Sequence, residues 1–490
     1  MPDRSFAEIT AVNWLSAWLP KNKALLAIFG LVLLISLAVN LATIITFPSW
    51  DDEAYLANIS FNLAQGQGRV LDLIPGGESG EINRYGPVFF LFQSAFIRLF
   101  GLHAWLFRLP NLAFSYLSIL LIALTLKNSN ISRAWILVYS FFAVLDISVN
   151  RNMVGGRMDM MATFFVCLTL YLASLGRLAQ RDDWLRWLVA GGSAALAFLT
   201  TPRALFLLPV VVPVALGHRF SSQAERDRPR AMWLPLLALV CFALPVAVWI
   251  GSLGGVSAYL AIQSSGVVRD HIAPSFLRAP YDNIAISILL LLTCLGYKQL
   301  LRSPIILGLF LNYLSFGLFV REVGPYAGMI MPFVLAAVAA LLSESRMKRA
   351  LKLGLALIIL VPSATVLAAR AVDLPLNANC RRSDLLDTLT RRITSESRRS
   401  LQIVADYKYY FYFEKPKHRL FVLEGSPAQR ELSIRNADIL LDSSPAAASA
   451  AGLSDAGKLA CTPRKLPLLP QSFYDRSIFN ETIYIRPKSI

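Results

Sequence analysis

A chain of 490 residues that is 56% hydrophobic and only 16% charged, with a mean hydropathy of +0.54, is too apolar for a string of soluble domains and reads as a membrane protein. Its net charge of +16 does not point to nucleic acid, because no zinc-type cysteine spacing, basic helical stripe or recognition motif accompanies it. Basic loops on the cytoplasmic side of a membrane account for the excess.

A crossing needs about 20 mostly apolar residues. The first run, 24–46, is too long for a signal-peptide core and lacks a small-residue cleavage site, so it is predicted to be retained. Further runs at 109–126, 134–149, 160–176, 187–200, 204–217, 232–251, 284–297, 304–320, 327–342 and 351–369 bring the predicted spans to eleven. The stretch VFFLFQSAFIRLFG at 88–101 decides the topology. It is short and is interrupted by Arg98. If it does not cross, the net-positive loops at 127–133, 177–186, 218–230, 297–302 and 343–352 all fall on the cytoplasmic side, as the positive-inside rule requires. It is therefore predicted to be an interfacial helix on the outer surface. The N-terminus is then cytoplasmic and the C-terminus outside.

On that reading the outer face holds residues 47–108, 150–159, 252–283, 321–326 and everything after Arg370. The chain divides into a transmembrane part, 1–370, and an extracytoplasmic α/β domain, 371–490. In the latter, a helical start (RRSDLLDTLTRRITSESRRS) precedes strand-like runs in LQIVADYKYYFYF, HRLFVL, ADILLD and TIYIRP, and SSPAAASAAG at 443–452 reads as a loop. Cys167, Cys241 and Cys294 lie inside apolar runs and read as buried thiols. Cys380 and Cys461 fall in the outer domain, where a disulfide between them is expected.

Charge of both signs gathers on this outer face, where it is costly unless it is solvated, paired or functional. Asp51, Asp52 and Glu53 follow the first span; Arg84 leads into the interfacial helix; Arg108 opens the second span; Arg151, Arg157 and Asp159 sit between the third and fourth. Acidic residues after a span can simply follow topology, and arginines at span ends commonly reach for lipid phosphates. Two arginines in RNMVGGRMD, however, run against the charge bias that the basic loops follow. Carboxylates beside arginines at a membrane surface suit transfer from a lipid-linked phosphate: the carboxylate takes a proton from an acceptor hydroxyl, and the guanidinium groups hold the departing phosphate. No glycine-rich nucleotide-binding loop is present.

WDDEAYLA with GQG soon after, then RYGPVFFLFQSAFIRLFG, FRLPN, RNMVGGRMD and FLTTPRALFLLP, in that order, resembles the GT-C membrane glycosyltransferases. The similarity covers about the first 220 residues. It is closest to the bacterial branch related to protein O-mannosyltransferases and to the aminoarabinose transferase that modifies lipid A. The resemblance implies a polytopic α-helical protein of the bacterial inner membrane. It also implies inverting transfer of a sugar from a polyprenyl-phosphate donor to a hydroxyl of a lipid, glycan or protein acceptor. It places Asp52, Glu53 and Asp159 at the catalytic centre, Arg84 and Arg108 at the donor phosphate, and Arg321 and Tyr326 as looser partners; Arg151 and Arg157 join them by position. Asp51 adds a carboxylate outside the family pattern. A divalent metal fits the oxygens of the DDE run and Asp159, but the arginines are placed to supply the positive charge, so no obligatory metal or other cofactor is expected. His271 reads as a loop residue. The competing class is a transporter or flippase of a lipid-linked saccharide, which would carry ionisable residues near the bilayer midplane and show repeated halves. A polymerase or ligase would instead rely on arginines in a large late outer loop.

Overall fold

The computed structural model describes residues 23–48, 51–73, 83, 85–175, 183–220, 233–265, 283–320, 323–381, 401–406, 409–413, 419–422, 427–442, 445–458, 463–467, 469 and 481–486. Eight helices build the first half: α1 (Lys23–Thr46), α2 (Asp51–Ala64), α3 (Pro87–Phe100), α4 (Ala104–Asn128), α5 (Arg133–Leu145), α6 (Ile147–Met153), α7 (Asp159–Ser174) and α8 (Asp183–Thr200). A 3-10 segment, Pro202–Val210, leads into α9 (Val211–Phe220), followed by α10 (Trp233–Ser252) and α11 (Val256–Ser265). The second half of the bundle holds α12 (Ile284–Leu295), α13 (Tyr297–Arg302), α14 (Pro304–Phe319), α15 (Val323–Glu344), α16 (Arg349–Leu376) and the short α17 (Ala378–Arg381).

Among the described residues, each of the eleven apolar runs is mostly helical. Among the described residues, five helices are long and apolar enough to cross a membrane, α1, α4, α10, α15 and α16, or six if the bent pair α5–α6 is one span. The other runs form shorter apolar helices, so length and composition alone do not give the expected count of eleven crossings. The 59° bend between α5 and α6 has an identifiable cause. Asp146 leaves helical geometry and caps α6 by accepting from the Val149 amide at 2.9 Å. The Asn150 amide then satisfies the Val144 and Asp146 carbonyls at 2.8 and 2.9 Å. In an apolar surrounding such replacement bonds are what make a broken helix tolerable. α15 is the central post, buried without interruption from Met329 to Leu342. It approaches the α6 turn so closely at Gly328 that a Cβ there would stand 2.0 Å from Asn152 Nδ2.

The stretch 88–101 forms the short apolar helix α3, and the chain before and after the α2–α3 hairpin is tied together. Arg108, in the first turns of α4, donates to the carbonyls of Ile44, Phe47 and Pro48 at the end of α1, at 3.0, 2.7 and 2.8 Å. The end of α1 and the start of α4 therefore lie on one side, and the α2–α3 hairpin between them returns the chain to the side it left. Arg98 serves this hairpin: it donates to the carbonyls of Ala64 and Leu63 at 2.9 and 3.2 Å, closing the C-terminal end of α2.

A five-stranded sheet follows, from β1 (Gln402–Ala405), β2 (Arg419–Val422), β3 (Ile439–Asp442), β4 (Ser454–Lys458) and β5 (Thr482–Ile485), in the order β2-β1-β3-β5-β4. β1 runs parallel to β2 and β3, whereas β5 is antiparallel to β3 and β4. Its inner face (Leu401, Ile403, Leu420, Ile439) packs against Ala57, Phe89 and Phe90 of the hairpin, and the Val422 amide donates to the Leu73 carbonyl at 2.9 Å. The sheet thus sits on the same side as the acidic helix start. Three expectations are corrected here. YKYYFYF is not strand throughout, because Tyr410–Phe413 turn as a short helix, α18. The SSPAAASAAG stretch contains a helix, Pro445–Ala450, favoured by its alanines after an N-terminal proline; it is α20, after α19 (Pro427–Asn436). Residues 252–283 begin with α11 rather than a loop. The helix expected at the start of the C-terminal region, and His271, lie outside the described residues. Cys380 is disulfide-bonded, and Cys167, Cys241 and Cys294 are free; Cys167 is buried as expected, whereas Cys241 is half-buried and Cys294 is exposed; Cys461 lies outside the described residues.

Candidate active site

Two carboxylates in the first turn of α2, where the helix dipole favours negative charge, play different parts. Glu53 is fully buried and receives Arg108 in a two-pronged grip, Nε to Oε1 at 2.6 Å and Nη2 to Oε2 at 2.7 Å. The Gly156 amide adds a bond to Oε1 at 3.0 Å. With its three carbonyl bonds, Arg108 has all five N–H groups engaged by the protein. It is a clamp on the α1–α2 junction, and no donor is left for a substrate phosphate.

Asp52, one residue earlier, points the other way and is 58% exposed. Its Oδ2 accepts from Arg157 Nη1, and Oδ1 has no protein partner among the described residues. Arg157 Nε donates to Asp159 Oδ2 at 2.8 Å, with Asp159 1% exposed at the start of α7. Burial works against the charge on Arg157, but Asp159 and Asp52 outweigh it and hold its pKa well above the ordinary value. The turn carrying Arg157 is tied to α4: Asn111 Nδ2 donates to the carbonyls of Gly155, at 2.5 Å, and of Arg157. One face of FRLPN therefore grips Glu53 while the next turn grips the glycine turn, and between them Asp52 and Arg157 are brought together. Gly156 has to be glycine, because a Cβ there would meet Phe107 Cδ1 at 2.3 Å and Glu53 Oε1 at 2.6 Å.

Beyond Arg157 the site continues into aromatic and cationic groups. The Arg157 guanidinium lies over the Tyr326 ring at 5.1 Å, and Arg203 lies over the same ring at 4.0 Å and over Tyr85 at 5.7 Å. Arg203 precedes the 3-10 segment's apolar run and has no carboxylate in ion-pair contact among the described residues. Sequence reasoning quoted its motif, FLTTPRALFLLP, without giving it a role. The available signal was a lone charge following Pro202 in an otherwise apolar stretch. Asp52, Arg157, Asp159 and Tyr326 are thus gathered at one place, with Glu53 and Arg108 directly behind. Arg151 lies exposed in the last turn of α6. The side chain of Asp51 and residues Arg84 and Arg321 lie outside what the structure describes. No group of three His, Cys, Asp or Glu side chains suited to a metal is found among the described residues; Asp52 and Asp159 both turn towards the Arg157 guanidinium.

The chain shares its overall fold with solved membrane glycosyltransferases, and part of it matches a glycosyltransferase family model. Within it, residues 84–249 match the family model described as dolichyl-phosphate-mannose-protein mannosyltransferase. ArnT from Cupriavidus metallidurans, in its apo state, superposes with a TM-score of 0.53 at 14% identity, over 97% of this chain and 98% of that one. The same protein bound to undecaprenyl phosphate gives 0.51 at 15% identity, over 98% and 99%. The Archaeoglobus fulgidus oligosaccharyltransferase tethered to an acceptor peptide gives 0.52 at 9% identity, over 86% of this chain and 69% of that one. The curated proteins give no match. The resemblance read from the motifs is borne out at this level.

Proposed function

We propose that the protein is an inverting glycosyltransferase that moves a sugar from a polyprenyl-phosphate donor to an acceptor hydroxyl, with Asp52 as general base and Arg203 as a principal holder of the donor phosphate. The carrying observation is the contrast within one site between engaged and available groups. Among the described residues, Asp52 presents an exposed carboxylate oxygen without a protein partner, while Arg203 presents a cation that no carboxylate contacts directly, framed by Tyr85 and Tyr326. A proton acceptor beside an anion holder is what displacement at an anomeric carbon requires. The structural relative crystallised with undecaprenyl phosphate supports the class of donor. The one crystallised with an acceptor peptide supports an acceptor that approaches the same fold.

In the reaction, Asp52 Oδ1 removes the acceptor's hydroxyl proton as that oxygen forms the bond to the anomeric carbon. The bond from that carbon to the phosphate oxygen breaks with its electron pair, leaving polyprenyl phosphate with one more negative charge and the sugar inverted. Arg203, with Arg84 and Arg321 as the further candidates named by sequence, meets that added charge. Arg157 and Asp159 hold Asp52 in place, and Glu53 with Arg108 fixes the helix start that carries it. Neither the matched family nor the structural relatives support the flippase reading. The test uses the full-length protein in lipid vesicles with a polyprenyl-phosphate sugar. Asp52→Asn is expected to lower turnover by roughly 100-fold or more while binding of polyprenyl phosphate persists, and Arg203→Ala to weaken both. Full turnover by Asp52→Asn would overturn the assignment.

A further inference from the structure

The turn after α2 carries a buried arginine, Arg69, that the proposed transfer does not use. Gly66 and Gly68, at φ of +81° and +84°, reverse the chain in the GQG motif, and left-handed backbone of this kind favours glycine. The segment that follows is pinned to α2. Asn62 Nδ2 donates to the Val70 carbonyl at 2.9 Å and to Asp72 Oδ1 at 3.2 Å, and the Asp72 amide donates to Asn58 Oδ1 at 3.1 Å. From this fixed segment Arg69 takes hold of the NRYGP motif: Nη1 donates to the Tyr85 carbonyl at 3.3 Å and Nη2 to Asn83 Oδ1.

An arginine that served only the membrane surface would turn its head group outward. Arg69 instead directs two donors into the protein, at the segment that enters α3. What that segment presents is Tyr85, whose ring lies 5.7 Å from the Arg203 guanidinium and whose side chain hydrogen-bonds to it. The next residue docks on the chain that leads to Arg203: a Cβ on Gly86 would stand 1.9 Å from the carbonyl oxygen of Leu199, in the last turn of α8. Tyr85 is therefore located from two sides, by Arg69 from the α2 turn and by backbone contact with the end of α8. We infer that Arg69 is a positioning residue for donor binding, a role that rests on Arg203 as the phosphate holder: it keeps Tyr85 against Arg203 and ties the donor side of the site to the helix that carries Asp52. A guanidinium already aimed by its neighbours gives up less freedom when an anion arrives, so loss of the aim weakens binding although no group that meets the phosphate has been removed.

The experiment measures polyprenyl-phosphate affinity, and steady-state transfer from a polyprenyl-phosphate sugar, with the full-length protein in lipid vesicles and thermal unfolding as the control for folding. Arg69→Ala is expected to bind polyprenyl phosphate about ten-fold more weakly and to raise the donor KM, while turnover at saturating donor falls much less. Arg69→Lys, which can keep one of the two bonds, should recover part of the affinity. Arg69→Ala combined with Arg203→Ala should bind no more weakly than Arg203→Ala alone, because Arg69 acts through Arg203. Unchanged affinity in folded Arg69→Ala, or losses that add in the double variant, would overturn the positioning role. If Arg69→Ala fails to fold, unchanged affinity in Asn83→Ala, which removes one of the two acceptors, would overturn it instead. Wild-type affinity in Arg203→Ala would remove the phosphate assignment and this role with it, whereas a loss in Arg203→Ala but not in folded Arg69→Ala would remove the role of Arg69 alone.

Discussion

Replacing Arg108 by alanine separates a clamp from a substrate ligand. The side chain is 1% exposed and its partner Glu53 is fully buried. Removing the guanidinium strands a buried carboxylate that keeps its bond from the Gly156 amide, and takes the Arg108 donors from three backbone carbonyls at the end of α1. Breaking a buried pair by deleting one partner costs about 3–5 kcal/mol, and each buried acceptor left without a donor adds about 1–3 kcal/mol where water cannot reach it. A loss near the upper part of that range is expected, read as a lower unfolding midpoint in detergent or vesicles. Arg108→Lys should recover only part, since one ammonium cannot serve Glu53 and three carbonyls together. Pairing Arg108→Met with Glu53→Gln should recover more than either change alone, because no charge is then stranded. If Arg108→Ala unfolded like wild type but failed to bind polyprenyl phosphate, the clamp would be wrong and the phosphate role read from sequence would return.

Gly156→Ala should cut activity by at least about ten-fold with expression retained, because its Cβ must displace the Phe107 ring or the Glu53 carboxylate; wild-type turnover in this variant would contradict the tight turn. Chelation with EDTA should leave most transferase activity in reconstituted vesicles if the arginines supply the positive charge, and a full loss restored by one added divalent ion would reverse that expectation. A cysteine introduced at Ser129, beyond the far end of α4, should be shielded from an impermeant thiol reagent in intact cells, and one at Ser449 labelled. Labelling at both positions would break the topology, since the hairpin geometry puts the C-terminal sheet and the far end of α4 on opposite sides.

What the sequence made legible follows from how local each signal is. Apolar runs are local, so the helical segments were readable. The Asp52–Arg157–Asp159 grouping was half readable, because unusual outer-face charges could be collected without knowing which touch. The partners of Arg108 could not be read: Glu53 is 55 positions away, and an arginine at a span start looks the same whether it faces a carboxylate or a phosphate. Arg203 was missed for the same reason in reverse, since a lone arginine after a proline reads as a span boundary until Tyr85 and Tyr326 are seen around it. Strand β4, SDAGK, has no apolar alternation, so its pairing with β5 supplies what its composition does not.

The roles of the arginines are decided by which N–H groups remain available once the protein's own bonds are drawn. Arg108 has none, and Arg157 is held between two carboxylates, so neither is placed to release a bond to a substrate without loss elsewhere. Arg203 stacks on the Tyr326 ring and hydrogen-bonds to Tyr85, and a ring face restrains a guanidinium without occupying the in-plane donors that remain. It can therefore turn those donors to an incoming phosphate while Tyr326 keeps its position. The same ring also meets Arg157, so Tyr326 joins the cation expected at the phosphate to the cation that orients Asp52. Tyr326→Ala should then weaken donor binding and turnover together, whereas Tyr326→Phe, which preserves the ring face, should keep most of both. Equal damage from the two changes, measured as donor affinity and turnover in the same vesicles, would show that the hydroxyl and not the stacking carries the role.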